Sequence, residues 1–502
     1  LPPHSAPSSC APRRPMKSIT ACTVGLALLV ATAEGFEQPR SRVTKPQLHP
    51  GVPQLHGELI AGKIAEPESP PYKGLAAVVG GVLIHLACGS MYCWGNLVSY
   101  LPPTLKYWSP EGGTGPADAS LVLAFILMSQ MTGMPFGPVL EGLLGPRLTA
   151  MLGALMMGSG LYLASYAKTL MQFVLSYALL FGLGVGIAYQ MPFITGGRWF
   201  PGKKGAVQGA IVSGMGASAF LFNIVATKLI NPDGVNPVGG VFPAEVTARW
   251  PSLLRTLGTC YALLATTGAF LQTNPEGFDK TYPVIEFFKG LGTSSSSPAK
   301  KQQVAKKAPP AAAPARSVLS DVFSPKFAQL WLMILMSAVS GLNIASSYKT
   351  YGAKQPHLNS DAFLSLVGSL SAILGNAAGR FFWGSLSDSV GFKRCFQTLA
   401  LIQATTMLLY RYLAASRVTF AAGTILLLFC MGGNFAMFPA QTFRTFGANG
   451  AGVYSFLFTG FGCAALLGPV LSNALLSKGG YALAYNVLAS LSLMALTLAS
   501  FL

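Results

Sequence analysis

The sequence predicts an all-α integral membrane protein, with twelve transmembrane helices arranged as two six-helix bundles that are parallel repeats of each other. Three observations carry this. Half of the 502 residues are hydrophobic and a tenth are charged, against roughly a quarter charged in soluble domains. Apolar runs of about 20 residues, long enough to span a bilayer, can be centred near positions 87, 129, 158, 181, 216, 262, 338, 372, 405, 428, 461 and 490. Glycine patterns also recur between the halves at a near-constant offset.

Residues 1–73 precede the first run as an N-terminal leader. From Met16 a basic start, an apolar stretch Ile19 to Ala33 and a small-residue ending have the form of a secretory signal. Gly35 to Lys63, with several Arg, Lys, Ser and Pro residues and few acids, fits the second part of a bipartite plastid-targeting leader. A cleaved signal and an uncleaved apolar stretch are the other readings. Residues 74–271 form the first six-helix bundle and 327–502 the second. Between them, 272–326 is a basic linker whose SSSSPAKKQQVAKKAPPAAAPAR cannot bury a core and is expected to be mobile.

The repeat rests on spacing. Gly133, Gly137 and Gly142 in the second run are spaced as Gly375, Gly379 and Gly384 in the eighth, 242 positions on. SGMG at Ser213 to Gly216 in the fifth run matches TGFG at Thr459 to Gly462 in the eleventh, 246 positions on. Six helices is an even number, so both copies enter the membrane in the same sense. With the N-terminus inside, Arg147, Arg198, Lys203, Lys204, the linker, Arg380, Lys393, Arg394 and Arg444 face the cytoplasm, sixteen basic residues against ten on the other side. That bias places both termini and the linker inside.

Several function classes fall away. The net charge of +18 is spread over short loops and tails with no basic helix carrying interleaved aromatics, which argues against nucleic acid. Eight cysteines form no CxxC or Cys/His pattern, so no metal or cofactor is expected and they read as small hydrophobes. His85 and His357 have no aspartate five residues later, and neither HExxH nor GxSxG occurs, so the chain is not read as an enzyme.

Arg380 is the informative residue. It lies in GNAAGRFFWGSLSDSVGFKR, Gly375 to Arg394, where a guanidinium near the bilayer centre costs about 2.5–3.5 kcal/mol even on lenient scales. Its planar fork matches a carboxylate and stays charged at any relevant pH. The competing reading has Arg380 snorkelling to the cytoplasmic interface, about 9 Å away along the helix. Lys349, in SSYKTYG, is a second cation for an outer vestibule or a plain helix-end lysine. Tyr92, Trp94, Tyr189 and Tyr348 offer ring edges and hydroxyls to a small anion, or pack against helices. Gln190, Asn343 and Asn434 offer substrate contacts or interhelical bonds. His85 either titrates or is hydrogen-bonded structure. Glu141 and Asp388 sit at helix ends and Asp361 begins a helix, so no carboxylate relay is expected and exchange or facilitated passage is the expected mode.

From Gly74 to Leu502 these residues resemble the major facilitator superfamily. GSLSDSVGFKR looks like its loop signature, and GLLGPR, Gly142 to Arg147, is a shortened first copy without the aspartate. GSMYCWG at Gly89, YQMPFITGGRWFPGKKG at Tyr189, GRFFWGSLSD at Gly379 and MGGNFAMFPAQTFRTFG at Met431 resemble the oxalate:formate antiporter and monocarboxylate porter group. The resemblance implies that Arg380 grips a substrate carboxylate, with Tyr92, Trp94, Tyr189, Gln190, Lys349 and Asn434 around it. It also implies that Asp388, Lys393, Arg394 and Arg147 make gating contacts.

Three departures matter. Phe461 and Asn96 stand where relatives carry lysines, and Asn376 stands where monocarboxylate porters carry an aspartate. One cation suits one carboxylate. The expectation is a secondary transporter moving a small organic anion (formate, lactate, pyruvate or oxalate) by alternating access, as a monomer in the bilayer of the plasma membrane or an organelle, the plastid envelope included. A transporter-like receptor or scaffold, or a carrier of a non-carboxylate solute, is the alternative.

Overall fold

The computed structural model describes residues 71–108, 118–235, 242–276, 278, 281–286 and 317–502. The leader from Met16 and most of the linker lie outside them. Among the described residues every regular element is a helix.

Helix α1, Pro71–Cys88, continues through a 3₁₀ stretch, Gly89–Cys93, and short turns to Tyr100. Helix α2 is Val122–Gly133 and runs past Pro135 into Phe136–Ala164, where Gly145 at φ 79° separates the end of α2 from α3. Helix α4 comprises Leu170–Phe173, a π-helical stretch Val174–Phe181, Gly182–Tyr189 and Met191–Trp199. Then come α5, Lys204–Ile230, and α6, Trp250–Phe270. The second half opens with α7, Pro325–Ala353. Helix α8 follows as Asp361–Leu370, a π-helical stretch Ser371–Ala377 and Ala378–Val390. Helices α9, Phe392–Leu413, and α10, Arg417–Phe446, lead to α11 and α12. These last two share Gly450–Leu457 and Thr459–Ser500, divided at Gly479 and Gly480.

Seven stretches of the described residues are long and apolar enough to cross a membrane by length and composition alone, one of them running through α10 and α11 together. The remaining passes fall short of that measure for physical reasons. Helix α2 is broken by Pro135, and α6, α8 and α9 are diluted by residues such as Arg255, Arg380, Asp388 and Lys393.

The repeat is visible in contacts. Gly133 and Gly137 of α2 lie against the carbonyls of Leu183 and Ile187 of α4, and Gly375 and Gly379 of α8 lie against those of Ile425 and Phe429 of α10. Both members of each pair are displaced by 242 positions. A Cβ at any of the four would overlap a backbone oxygen, so the helices approach this closely only through glycine. The positive-φ glycines that end α2 and α8, Gly145 (φ 79°) and Gly391 (φ 85°), are related by 246. The difference of four residues is the turn that the first copy's loop lacks.

Helices from the two bundles meet along a seam of small residues. Gly205, Gly209 and Gly216 of α5 lie against Gly384, Arg380 and Ala377 of α8, and Gly462 of α11 lies against Met131 of α2. The α5–α8 part of this seam runs from the level of Arg380 to the end that carries Lys203, Lys393 and Arg444, referred to below as the basic end.

Candidate substrate site at Arg380

Helix α8 brings Arg380 to the seam just after its π-helical stretch, and the close approach of α5 supplies a partner. Arg380 is wholly buried. Its Nε donates to Asn376 Oδ1 at 2.6 Å, one turn earlier, and its Nη1 donates to the carbonyl of Val212 at 3.1 Å. Its Nη2 is buried with no hydrogen-bond partner. The guanidinium stands 4.5 Å over the ring of Phe435, which is itself stacked on Phe461 at 4.3 Å and 12°. No carboxylate of the described residues pairs with it. A buried charge held by neutral dipoles and one π face, with a donor left over, retains much of its desolvation cost and attracts an anion.

The phenols of Tyr92, Tyr189 and Tyr454 lie within electrostatic reach of the guanidinium. Tyr189 and Tyr454 approach closely enough to polarise one another, yet each hydroxyl is buried without a well-formed hydrogen bond. His85 packs on Tyr189 and Phe193, with centroids 4.7 and 5.1 Å away. The chamber is thus aromatic, with one cation and two hydroxyls that face each other.

The other expected residues lie as follows. Gln190 donates to Ser455 Oγ at 2.6 Å, and that hydroxyl is 3.0 Å from the Met134 carbonyl, so it ties α4, α11 and α2 together. Asn434 donates to Ser337 Oγ at 2.9 Å and ties α10 to α7. Trp94 donates to the Ala119 carbonyl at 2.9 Å and packs against Phe173 and Tyr177, an aromatic cluster within the first bundle. Lys349 is exposed and reaches Ser365 Oγ at 3.4 Å. Sequence reasoning gave no role to Phe435 or Tyr454. Phe435 stood inside a quoted motif, MGGNFAMF, but only the folded chain brings it under Arg380.

At the basic end Asp388 accepts the backbone N–H groups of Gly205 and Ala206 at 2.8 and 2.7 Å and pairs with Arg444. Lys393 donates to the Ser500 carbonyl at 2.7 Å, and Arg394 is exposed. Arg147 is exposed too and lines a cavity of about 680 Å³ with Gly145, Asn274 and Tyr282. The first copy's missing aspartate has a counterpart in Glu141, which pairs with Arg198 at 2.9 Å. Arg198 and Arg444 are 246 positions apart, the repeat offset. Arg198 also donates to Asn274 at 2.9 Å, Asn274 donates to Tyr282 Oη at 3.0 Å, and Tyr282 donates to Glu141 at 3.3 Å, closing a ring under Phe278. Burial is the main reason that the Tyr282 hydroxyl is held above its ordinary pKa. The first residues after α6 are therefore anchored: Gln272 is buried between Thr195 and the Ala77 carbonyl, and Trp199 donates to the Thr273 carbonyl at 2.7 Å.

This all-helical, twice-repeated arrangement is shared with proteins of known kind. The family model for the Major Facilitator Superfamily matches residues 330–502. Apicoplast pyruvate carrier 1 of Toxoplasma gondii is 27% identical, over 84% of this chain and 88% of that protein. The oxalate:formate antiporter of Oxalobacter formigenes is 25% identical, over 84% and 90%. Among solved structures the Escherichia coli fucose:proton symporter aligns with a TM-score of 0.59 at 13% identity, over 86% of this chain and 99% of that one. The proton:xylose symporter XylE aligns with 0.61 at 12%, over 86% and 95%. Those two likenesses speak for the fold. The matched family model and the transporter relatives make the chain a multi-pass membrane transporter rather than an enzyme.

Proposed function

We propose that this transporter carries a small organic monoanion, with its carboxylate bound by Arg380. The observation that carries the reading is the buried guanidinium with one N–H donor unpartnered and no carboxylate of the protein beside it. A substrate carboxylate fills that donor, and the hydroxyls of Tyr189 and Tyr454 are at hand for its oxygens. Phe461, stacked behind Phe435, occupies the place where oxalate relatives carry a second cation, which favours one negative charge over two. The names of the relatives, a pyruvate carrier and an oxalate:formate antiporter, support the same chemical class. Transport proceeds by rocking of the two bundles about this site. At the basic end the capped α5 and the Asp388–Arg444 pair hold the seam shut.

Counterflow in proteoliposomes tests this with radiolabelled formate, lactate, pyruvate and oxalate, comparing the native chain with Arg380→Lys and Arg380→Gln. Both variants are expected to lose most exchange, since an ammonium lacks the fork that reaches Asn376, Val212 and substrate together. Unimpaired transport by both would remove Arg380 from the mechanism.

A further inference from the structure

We propose that Gln208 of α5 is a second substrate residue, whose side-chain amide binds the oxygen on the carbon next to the cargo's carboxylate. The inference rests on the reading of Arg380 above and names the residue that selects among small monoanions.

Gln208 is wholly buried, and neither its amide nitrogen nor its amide oxygen has a hydrogen-bond partner. Buried polar groups nearly always have one, and a free carboxamide inside an apolar bundle is costly. A methionine would fill the same space without that cost. Among the described residues Gln130 of α2 is the other glutamine with both amide atoms unpartnered, and its backbone packs on Gly182 and Gly186 of α4 within the first bundle.

Gln208 is tied to Arg380 through its own helix. Gly209, the next residue, lies against the carbonyl of Arg380, and Val212 accepts from Arg380 Nη1 at 3.1 Å. Residues four apart share a helix face, so Gln208 stands on the face of Val212, one turn or about 6 Å nearer the basic end.

The internal repeat shows where that face looks. At the offset of 246 that relates Arg198 to Arg444, Gly209 corresponds to Ser455 and Arg380 to Met134. The contact recurs with the spacing: Gly209 lies against the Arg380 carbonyl, and Ser455 donates to the Met134 carbonyl at 3.0 Å. At the same offset Gln208 corresponds to Tyr454, Val212 to Phe458 and Tyr189 to Phe435. Phe458 packs on both Tyr454 and Tyr189, with centroids 6.0 and 5.5 Å away. Val212 and Phe435 likewise meet at Arg380, the one through its carbonyl and the other 4.5 Å beneath the guanidinium. By the same relation Gln208 faces Phe435, and α5 does pack on α10. Its amide thus looks into the chamber from the basic side of the guanidinium.

A carboxamide carries both kinds of hydrogen-bonding group. With the carboxylate on Arg380, the amide N–H donates to a 2-oxo oxygen, and the amide oxygen accepts from a 2-hydroxyl. An acid whose second carbon bears no oxygen leaves Gln208 as unpartnered as it is in the empty site. Sites built around a buried polar group discriminate strongly against the analogue that fails to pair with it. The cation decides that the cargo is an anion, and the amide decides which one.

The experiment uses the full chain in proteoliposomes and competes unlabelled pyruvate, lactate and propionate, acids of the same chain length, against counterflow of radiolabelled pyruvate. In the native protein pyruvate and lactate should inhibit at concentrations about tenfold or more below propionate. Gln208→Met keeps the bulk of the side chain and removes both amide groups. Its ratio should fall to within about twofold of one, because pyruvate and lactate weaken while propionate does not. Gln130→Met, which removes the other free amide, should keep the native ratio. A native ratio in Gln208→Met, or the same collapse in Gln130→Met, would overturn the proposal. Absence of counterflow for every labelled carboxylate strikes the Arg380 reading instead. Should Gln208→Met not fold, the native protein decides: propionate inhibiting as strongly as pyruvate overturns the proposal, and inhibition about tenfold weaker supports it.

Discussion

The carboxylate of Asp388, at the end of α8, accepts the backbone N–H of Gly205 at 2.8 Å, so an acidic side chain of one bundle caps a helix of the other. The first N–H groups of a helix have no partner within it and carry the positive end of its dipole. Asp388 meets both needs of α5 while paired with Arg444. Asp388→Asn keeps an acceptor but loses the charge, and should weaken closure at the basic end by about 1 kcal/mol. Labelling of a reporter cysteine at Ser213, from that side, is expected to quicken roughly fivefold, the factor that such an energy implies. An unchanged rate would mean that the cap does not hold the seam.

Gly384 tests the seam itself. Its Cα faces the Gly205 carbonyl so closely that a methyl group would overlap it, and Gly209 is next to it. Gly384→Ala should fold, because the seam lies between bundles rather than within one. It should cut the turnover number far more than it changes substrate affinity. Crosslinking between cysteines placed at Ala206 and Leu386 would fall in the same variant.

Phe435 supports the guanidinium through its π face, an interaction worth about 0.5–2 kcal/mol where it is desolvated. Phe435→Leu keeps the apolar volume and removes the quadrupole. Uptake kinetics are expected to show a rise in KM of a few fold with little loss of maximal rate. Phe461→Leu, which leaves Phe435 in place, should have a smaller effect.

The ring at Arg198 predicts a stability effect separate from transport. Glu141→Gln leaves a largely buried guanidinium without its counter-charge and should cost about 2 kcal/mol, in the range for a charged hydrogen bond removed on one side. Tyr282→Phe, which deletes only one long hydrogen bond of 3.3 Å, should cost less than half of that. Thermal unfolding in detergent, followed by tryptophan fluorescence, orders the two. Equal losses would contradict the ring.

Local features of this fold are legible in the sequence, because glycines four apart lie on one face of any helix and a guanidinium in an apolar run stands out by composition alone. The repeat could be read from Gly133, Gly137 and Gly142 against Gly375, Gly379 and Gly384 for that reason. What surrounds Arg380 was not legible: Val212 and Phe435, which it touches, and Tyr454, within electrostatic reach, arrive from α5, α10 and α11 and share no spacing with it. The pairing of Glu141 with Arg198, as the first copy's counterpart of Asp388 with Arg444, was not legible for a different reason. The first loop is one turn shorter, so a fixed offset aligns Asp388 with Pro146 while the folded chain supplies a carboxylate from the turn before. Trp94 and Tyr189 look alike in sequence, as aromatics in apolar runs, and only packing separates a ring in the bundle's own core from one beside the guanidinium.

The bond from Arg380 Nη1 to the Val212 carbonyl has a consequence for turnover. Arg380 belongs to one bundle and Val212 to the other, so the side chain that grips the cargo is also a bolt across the door. Swinging α8 away from α5 takes an acceptor from a buried guanidinium, and an empty site offers nothing in its place. A carboxylate oxygen does. On the proposed mechanism the cargo is therefore the key as well as the load, and label should move faster when the far compartment holds unlabelled substrate than when it is bare.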